Sequence, residues 1–243
     1  MKAIARWIAL VVLAFVALQL FFLGRIGAMA VVDPQSTTFQ RSEAWRIATE
    51  KDKLRWRQEW LPYEDIADHL KRAVIASEDA SFAEHEGVDW DALEKAWERN
   101  AKAQAAAARR AQLAPSRAKP AKIVGGSTIT QQLAKNLLLS GERTFLRKGQ
   151  ETVLTFALEQ MLSKQRILEI YLNNVEWGEG VFGAEAAAQH YYRKSAARLS
   201  AYEAARLAVM LPQPKRFEKN PRSGYLASRA STIVARMRDV EVP

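Results

Sequence analysis

One acidic side chain, Glu78, occupies the position at which an apolar helical row would continue. Ile66, Leu70 and Val74 recur every four residues, which indicates the apolar face of a helix, and the next position on that row is 78. Burial disfavours the charged form of a carboxylic acid, so we expect a raised pKa and proton transfer near neutral pH. The alternative is that Glu78 pairs with a nearby Arg and closes the helix. Asp79 points about 100° away, so it need not share the role of its neighbour.

A second group that could do chemistry is cationic and lies further along the chain. Arg143, Arg147 and Glu151 are spaced four apart on one helical stripe, and Lys148 lies beside them. Spacing alone favours a ladder of surface ion pairs, each of which would contribute roughly a few tenths of a kcal/mol. The other interpretation is that these cations hold an anionic group.

The helix between these two groups begins after a tight turn. Paired glycines at 125–126 permit the turn, and Thr128 with Gln131 forms a capping box at the helix start. Its buried face is predicted to consist of Ile129, Leu133 and Leu137. The polar side chains left on its other faces are Gln132, Lys135 and Asn136. The alternative for this segment is an ordinary capped surface helix.

The remaining pattern predicts an all-α fold. Pro62 is predicted to open the helix that carries Glu78, and Ser200 with Glu203 forms a second capping box. Helical periodicity continues through residues 154–162 and 167–174. Alternating patterns typical of strands are scarce, and the glycines within 178–183 indicate a turn-rich link.

A basic, alanine-rich tract at about residues 101–121 interrupts this pattern. The helix that follows Asp89 is predicted to end near Asn100, and Pro115 with Pro120 stops any helix beyond it. Low-complexity composition of this kind predicts a mobile loop near the mouth of a cleft, where its basic residues could meet anionic lipid headgroups.

Composition limits the class of partner. A chain of 243 residues without cysteine forms one large domain or two small ones without disulfides. Lys and Arg number 36 against 27 Asp and Glu, which gives a net charge of +9 and a pI near 9.8. Such a surplus favours nucleic acid, an anionic membrane surface or a phosphorylated substrate.

The first 32 residues predict a membrane anchor. Trp7–Leu23 is apolar except for Gln19, and Lys2 and Arg6 precede it, so the short tail should remain cytoplasmic and the rest should be exported. Export argues against nucleic acid. A cleaved signal peptide ending in the small-x-small sequence Ala28–Ala30 is the alternative. We predict retention, because the apolar run exceeds the usual signal core of about 7–15 residues.

The predicted organisation is a tail and anchor at 1–32, a juxtamembrane segment at 33–60 and a catalytic domain at 61–243. Trp45, Trp56 and Trp60 lie among basic residues of the middle segment. Such tryptophans suit either a membrane interface or burial in the domain, and the sequence favours neither.

Several ordered blocks in residues 60–215 resemble the peptidoglycan glycosyltransferases of glycosyltransferase family 51, which polymerise lipid II. The blocks are Glu78-Asp79-x-x-Phe82-x-x-His85-x-Gly87, Gly125 to Asn136, Arg147-Lys148-x-x-Glu151, Ile167-Leu168-Glu169-x-Tyr171-Leu172-Asn173, Gly178-x-Gly180-x-x-Gly183 and Glu203-Ala204-Ala205-x-Leu207-Ala208. The resemblance implies a lysozyme-like helical lobe beside a smaller membrane-proximal lobe, preceded by one transmembrane helix. The chain leaves no room for a transpeptidase domain, so it is similar to the monofunctional, membrane-anchored type. The tract at 101–121 is longer than the family's usual link.

The resemblance also implies roles for individual residues. Glu78 corresponds to the base that takes a proton from the 4-hydroxyl of the acceptor GlcNAc, and Glu151 corresponds to a second essential acid. The positions associated with the donor pyrophosphate are Lys135, Arg143, Arg147 and Lys148. Further substrate-binding positions in the matching blocks are Asp79, Ser127, Gln132 and Asn136.

The physical chemistry agrees with transfer from a pyrophosphate. That leaving group needs cations for its developing charge, whereas hydrolysis of a glycosidic bond needs a protonated acid at the leaving oxygen. A single in-line displacement would invert an α-linked donor into a β-1,4 product. The alternatives are a lysozyme-like muramidase and a catalytically silent membrane scaffold.

The expected partners are lipid II, the growing glycan chain and the bacterial inner membrane, with the domain on the periplasmic side. Cell-wall or division proteins are further expected partners. No dedicated cofactor is predicted, and His85 and His190 lack metal-ligand spacing. The resemblance allows a divalent cation, Mg²⁺ or Mn²⁺, to assist at the pyrophosphate.

Overall fold

The computed structural model describes residues 2–51, 54–113, 120–121, 123, 125–142 and 144–243. Helices dominate this part of the chain, as the periodicity predicts. In chain order they are α1 (Lys2–Ala28), α2 (Thr38–Glu50), α3 (Asp68–Glu78), α4 (Trp90–Leu113), α5 (Ile129–Leu138), α6 (Phe145–Met161), α7 (Lys164–Asn174), α8 (Ala184–Tyr192), α9 (Ala201–Met210), α10 (Pro214–Glu218) and α11 (Gly224–Arg236). The strands are β1 (Arg57–Gln58), β2 (Glu176–Gly178) and β3 (Val181–Phe182).

Helix α1 is the apolar N-terminal helix that the sequence predicts. It has 27 residues and an 18-residue window with a mean hydropathy of 2.5, which suffices to cross a membrane. Most of its side chains are exposed, but Phe22 and Ile26 near its end are buried against the rest of the protein. The last turns of the apolar helix therefore belong to the hydrophobic core.

Helix α9 lies at the centre of the core between α3 and α11. The capping box of Ser200 and Glu203 fixes its start, as predicted. Small residues on the helix allow both neighbours to approach closely, and these are Ala204, Ala205 and Ala208, all fully buried. Helix α3, which carries Glu78, is held against this centre along its apolar face.

The start of α3 differs from the sequence prediction. Pro62 precedes a 3-10 turn over Tyr63–Asp65, and the helix begins only at Asp68. The side chain of Asn173 exchanges two hydrogen bonds with the backbone of Leu61, of 2.8 and 2.9 Å, which fixes the chain just before this turn. A contact with a residue more than a hundred positions away thus sets where the helix can start.

The glycines within 178–183 form a hairpin rather than a link without strands. Strand β3 pairs with β2 in antiparallel fashion and with β1 in parallel fashion. Gly180 has a φ of +71°, and a Cβ there would lie 1.9 Å from the carbonyl oxygen of Arg55. Only glycine allows this close approach of the two backbones.

Residues 33–60, predicted as a juxtamembrane segment, contribute α2 and β1 to the folded domain. Gln40 of α2 is fully buried and donates to the side-chain oxygen of Asn174 over 3.3 Å. Of the tryptophans, Trp56 stacks on Phe182 at 4.5 Å and Trp60 packs against the core, whereas Trp45 is 74% exposed. Two of the three tryptophans therefore serve the fold.

The prediction that helix α4 ends near Asn100 is wrong. The helix continues to Leu113, through more than half of the tract predicted as a loop. Alanine has the highest helix propensity, and between Asn100 and Leu113 neither Gly nor Pro opposes it. The remainder of the tract, including Pro115, falls largely outside the described residues.

Candidate active site

Glu78 is the last residue of α3, and the end of this helix positions its carboxylate. Gln132 Nε2 of α5 donates a hydrogen bond of 3.0 Å to Glu78 Oε2. Burial is the main cause that raises the pKa of Glu78, the charge of Asp79 raises it further, and the hydrogen bonds from Gln132 and Ser77 partly oppose this. The sequence-based expectation of a raised pKa is confirmed, and within the described chain the side chain that orients this carboxylate is an amide.

Gln132 is itself oriented by a third side chain. Tyr171 Oη, from the buried face of α7, donates a hydrogen bond of 3.1 Å to Gln132 Oε1. Because this bond occupies the amide oxygen, the amide nitrogen is directed at Glu78. The order Tyr171–Gln132–Glu78 thus links α7, α5 and α3 and fixes the carboxylate in one position.

Asp79 has a different environment from its neighbour. Its Oδ2 accepts a 2.9 Å hydrogen bond from the backbone N–H of Ile129, in the first turn of α5. Its Oδ1 lies 2.9 Å from Nε2 of His85, whose Nδ1 accepts a bond from Gly87 N–H, so Nε2 carries the proton that faces Asp79. Asp79 is buried and ties the end of α3 to the positive end of the α5 dipole.

A cleft with a volume of about 660 Å³ lies beside Gln132. Seven of the residues that the sequence singles out line it together, and these are Ser127, Gln132, Lys135, Asn136, Arg147, Lys148 and Glu151. The opposite wall comes from α2 and from the segment around β2, and it includes Thr38, Phe39, Ser42, Glu43, Val175 and Glu176. Glu78 is not itself among the lining residues and adjoins the cleft through Gln132.

Glu151 forms the centre of the cationic side of the cleft. Its side chain is only 4% exposed, and it accepts a 2.7 Å hydrogen bond from Arg147 Nη1 and another from Lys148 Nζ. A buried carboxylate between two cations is not the surface ion-pair ladder that spacing alone favours. It holds both positive groups against the cleft.

One hydrogen-bond donor of Arg147, its Nε, is not used in the ion pair with Glu151. This Nε is buried and has no hydrogen-bond partner among the described residues. A buried donor without a partner is costly, commonly by about 1–3 kcal/mol. The Arg147 side chain as a whole lines the cleft.

This geometry can be compared with known proteins. The family model described as Transglycosylase matches residues 46–238, which is most of the chain. The chain belongs to the transglycosylase family. It is 50% identical over 246 residues to the biosynthetic peptidoglycan transglycosylase of Burkholderia thailandensis, covering 100% of this chain and 90% of that protein. The proteins of the same name from Janthinobacterium sp. and Bordetella pertussis are 49% and 51% identical, over 100% and 93% of this chain and 99% and 88% of theirs.

The transglycosylase brings together most, but not all, of the predicted site residues. Seven line the cleft and Glu78 adjoins it, whereas Asp79 faces His85 and α5. Arg143 lies outside the described residues. Helix α6 starts at Phe145, so the described part of the predicted stripe consists of Arg147 and Glu151 with Lys148 beside them.

The described carboxylates of the cleft form no cluster of metal ligands. Nowhere in the described chain do three or more His, Cys, Asp or Glu side chains come close enough to hold a metal ion. The carboxylate of Glu151 is occupied by Arg147 and Lys148.

Sequence reasoning missed the acidic side of the cleft. Glu176 is 7% exposed, and its Oε1 lies 3.3 Å from Lys215 Nζ without hydrogen-bond geometry. Lys215 also pairs with Glu43 of α2. The available signal was a lone acid between two apolar residues, Val175 and Trp177, which are both buried in the structure. Nothing in the sequence indicated that α2 would lie opposite.

Glu176 should make the stability of the transglycosylase depend on pH. Burial raises the pKa of Glu176 to about 7, although the charge of Lys215 opposes this. A raised pKa stabilises the folded state below the unfolded pKa of about 4.3, and this contribution is lost as the pH rises through the folded value. Glu176→Gln stays neutral, so its stability relative to the parent should grow by about 1–3 kcal/mol between pH 5 and pH 8.

Thermal or urea unfolding of both proteins across this pH range measures the difference. Glu179→Gln is the matched control from the same hairpin, because the hydrogen bond from Arg46 lowers the pKa of Glu179. Glu179 is ionised in both the folded and the unfolded state between pH 5 and pH 8, so Glu179→Gln should be less stable than the parent by a nearly constant amount across this range. Parallel stability curves for the parent and Glu176→Gln would contradict the assignment.

Proposed function

We propose that this protein polymerises lipid II into β-1,4-linked glycan strands, with Glu78 as the base and the cations of the cleft as the pyrophosphate site. The observation that carries the proposal is that Gln132 contacts Glu78 and also lines the cleft that contains Arg147 and Lys148. A carboxyl with a raised pKa and a cationic anion-binding wall thus adjoin one space. The relatives' shared name, biosynthetic peptidoglycan transglycosylase, supports the same substrate class.

In the proposed reaction, Glu78 accepts the proton of the 4-hydroxyl of an acceptor GlcNAc. The hydroxyl oxygen attacks the anomeric carbon of the lipid-linked donor chain as the bond from that carbon to the pyrophosphate oxygen breaks. The products are a β-linked chain one disaccharide longer, undecaprenyl pyrophosphate and a protonated Glu78. The raised pKa makes Glu78 a stronger base than an exposed carboxylate, and Gln132 supports its ionised form through the hydrogen bond.

The leaving pyrophosphate needs positive charge rather than a proton. Arg147, Lys148 and Lys135 line one wall of the cleft. Fixed cations in a partly dry cleft stabilise developing negative charge without reorganisation during the reaction. Arg143 is proposed as a further member of this set on the family resemblance.

Glu151 is proposed to act through the cations that it holds. Its carboxylate accepts hydrogen bonds from both Arg147 and Lys148, so it sets their positions and reduces their mutual repulsion. Every proposed step uses side chains of the protein, and a divalent cation, Mg²⁺ or Mn²⁺, is proposed on the family resemblance as a further partner of the pyrophosphate.

We propose that the domain lies directly on the membrane that α1 crosses. Gln19 and Gln150 exchange hydrogen bonds, and a Cβ at Gly27 would lie 3.1 Å from Met161 Cε, so α1 and α6 run side by side in the same direction. The start of α6 therefore lies alongside the apolar part of α1. Its first residues, Phe145 and Leu146, are 99% and 88% exposed, as suits contact with lipid.

The basic residues before the anchor support a cytoplasmic N-terminus and a catalytic domain on the outer side of the inner membrane. This topology gives the cleft access to a lipid-linked substrate from the membrane side. Cell-wall or division proteins remain proposed partners.

We expect the anchor to be retained in the mature protein. Cleavage after Ala30 would remove Phe22, Ile26 and Met29, all of which are buried in the core. It would also remove the carbonyl of Met29, which accepts a 2.8 Å hydrogen bond from Arg166 Nε. Mass spectrometry of the membrane-extracted protein should therefore find an N-terminus before Trp7. A mature chain that begins at Val31 would show that the helix is a signal peptide.

The deciding experiment gives the purified full chain two substrates in parallel, labelled lipid II and finished cell-wall sacculi. A polymerase should convert lipid II into a ladder of glycan chains on a gel and leave sacculi intact. A lysozyme-like muramidase should do the reverse. A scaffold should consume neither, and Glu78→Gln serves as the inactive control.

A further inference from the structure

Helix α4 is a long arm with little contact to the domain. It has 24 residues, all within the described chain, and Ala96 is the only one of them that is buried. A Cβ at Gly126 would lie 3.4 Å from Ala96 Cβ, which places the domain contact in the first two turns of the helix. The later turns of the helix are exposed or only partly buried, so their surface is open to a partner.

The exposed side chains of α4 are amphipathic. Trp90 and Trp97 are 65% and 77% exposed, and their spacing of seven residues puts them about 20° apart around the helix. Leu93, 42% exposed, lies on the same side. Large exposed tryptophans of this kind suit a membrane interface, where the ring meets both apolar chains and water.

Charge is divided along the same helix. The first half carries three acids, Asp91, Glu94 and Glu98, close to the domain. From Arg99 onward the charged residues of the helix are all cations, namely Arg99, Lys102, Arg109 and Arg110. Lys102 and Arg109 are seven residues apart and lie roughly 100–140° around the helix from the tryptophan row. If the helix lay parallel to a bilayer surface with its tryptophans in contact with lipid, these long side chains would extend toward the headgroup phosphates.

The position of α4 relative to α1 agrees with this arrangement. Gly87, three residues before α4, lies against Thr155 and Glu159 of α6. Along α6, Thr155 and Glu159 lie between Gln150, which contacts Gln19, and Met161, which lies beside Gly27. The arm therefore leaves the domain at the outer end of the apolar run of α1, where a bilayer would have its interface.

We infer that α4 lies on the membrane surface and binds anionic phospholipid through its tryptophan row and its cationic distal half. This goes beyond the proposed polymerisation and rests only on the membrane placement of α1. The arm would give the domain a second attachment to the bilayer, at a distance from the anchor. Two attachments limit rotation about α1 and hold the cleft in one orientation to the lipid surface.

The absence of cysteine from the chain allows single spin labels to test this inference. Labels at Ala101 and Ala108 report on the tryptophan side, and a label at Ala106, about 160° away, is the matched control on the other side. All three positions are exposed in the structure. The full-length protein is reconstituted in vesicles of phosphatidylcholine alone or mixed with phosphatidylglycerol, and collision with oxygen and with a nickel chelate is measured.

With phosphatidylglycerol, the labels at Ala101 and Ala108 should gain collisions with oxygen and lose collisions with the chelate, whereas the label at Ala106 should stay accessible to the chelate. Trp97→Ser, or Lys102→Gln with Arg109→Gln, should lose most of this difference. Added salt should weaken it, because screening shortens the reach of the charges. Turnover of lipid II in detergent should be unchanged in these variants, since none of the substituted residues lines the cleft.

Three outcomes would overturn the inference. Equal access of the chelate to all three labels in both vesicle types would place α4 in water. Protection that rises with protein density and ignores lipid charge would identify a second copy of the chain as the partner. Protection that ignores both would indicate packing onto the domain itself.

Discussion

Replacing Glu78 with Gln is expected to reduce turnover of lipid II by roughly 10²- to 10⁴-fold while the protein stays folded. Gln has nearly the same shape and can still accept the hydrogen bond from Gln132, but it cannot take up a proton. Burial of this side chain makes the neutral replacement easy to accommodate. Turnover and melting temperature of the purified variant give the two required measurements.

The pH profile adds an independent check. Glu78 must be ionised to act as a base, so activity of the parent should fall as the pH drops through its raised pKa. Glu86→Gln is the matched control, because Glu86 is an exposed carboxyl on the stretch just after α3. Near-normal turnover of the Glu78 variant would show that another group is the base.

Arg147→Ala and Lys148→Ala should each lower turnover by roughly 10²- to 10³-fold, as expected for the loss of a fixed electrostatic stabiliser. Each variant leaves Glu151 one of its two cationic partners, so the melting temperature should change much less. Single variants of Lys135 and Arg143 complete the set, with activity and thermal unfolding measured on the same preparations.

Lys51→Ala is the matched control for these variants. Lys51 is 54% exposed, lies outside the cleft and approaches Glu179 only to 3.9 Å. Neither its turnover nor its stability should change measurably. If the cleft variants lose stability in proportion to activity, the cations serve the fold and the pyrophosphate assignment is wrong.

Local chemistry explains which parts of the fold could be predicted. The two capping boxes need only side chains three residues apart, and both formed as predicted at Thr128 and Ser200. The prediction that α4 ends near Asn100 is wrong because a single Asn, a weak helix former, and a cluster of charges do not overcome a run of alanines.

Long-range contacts explain what could not be predicted. Asp79 is predicted to bind substrate, and this stays a prediction; its observed contacts with Ile129 and His85 depend on the packing of α5 on α3. The opposite wall of the cleft needs α2 beside β2, regions more than a hundred residues apart. The raised pKa of Glu78 was predictable because a helical row already implied its burial.

The last turns of α1 are packed into the core and continue into a segment where Asp33 pairs with Arg166, so no slack chain separates anchor from enzyme. A helix that tilts to match a thinner bilayer would therefore tilt the whole domain with it. The angle and height of the cleft above the lipid become properties of the membrane as much as of the protein. A change in bilayer thickness would therefore change the orientation of the cleft, because no flexible linker separates α1 from the domain.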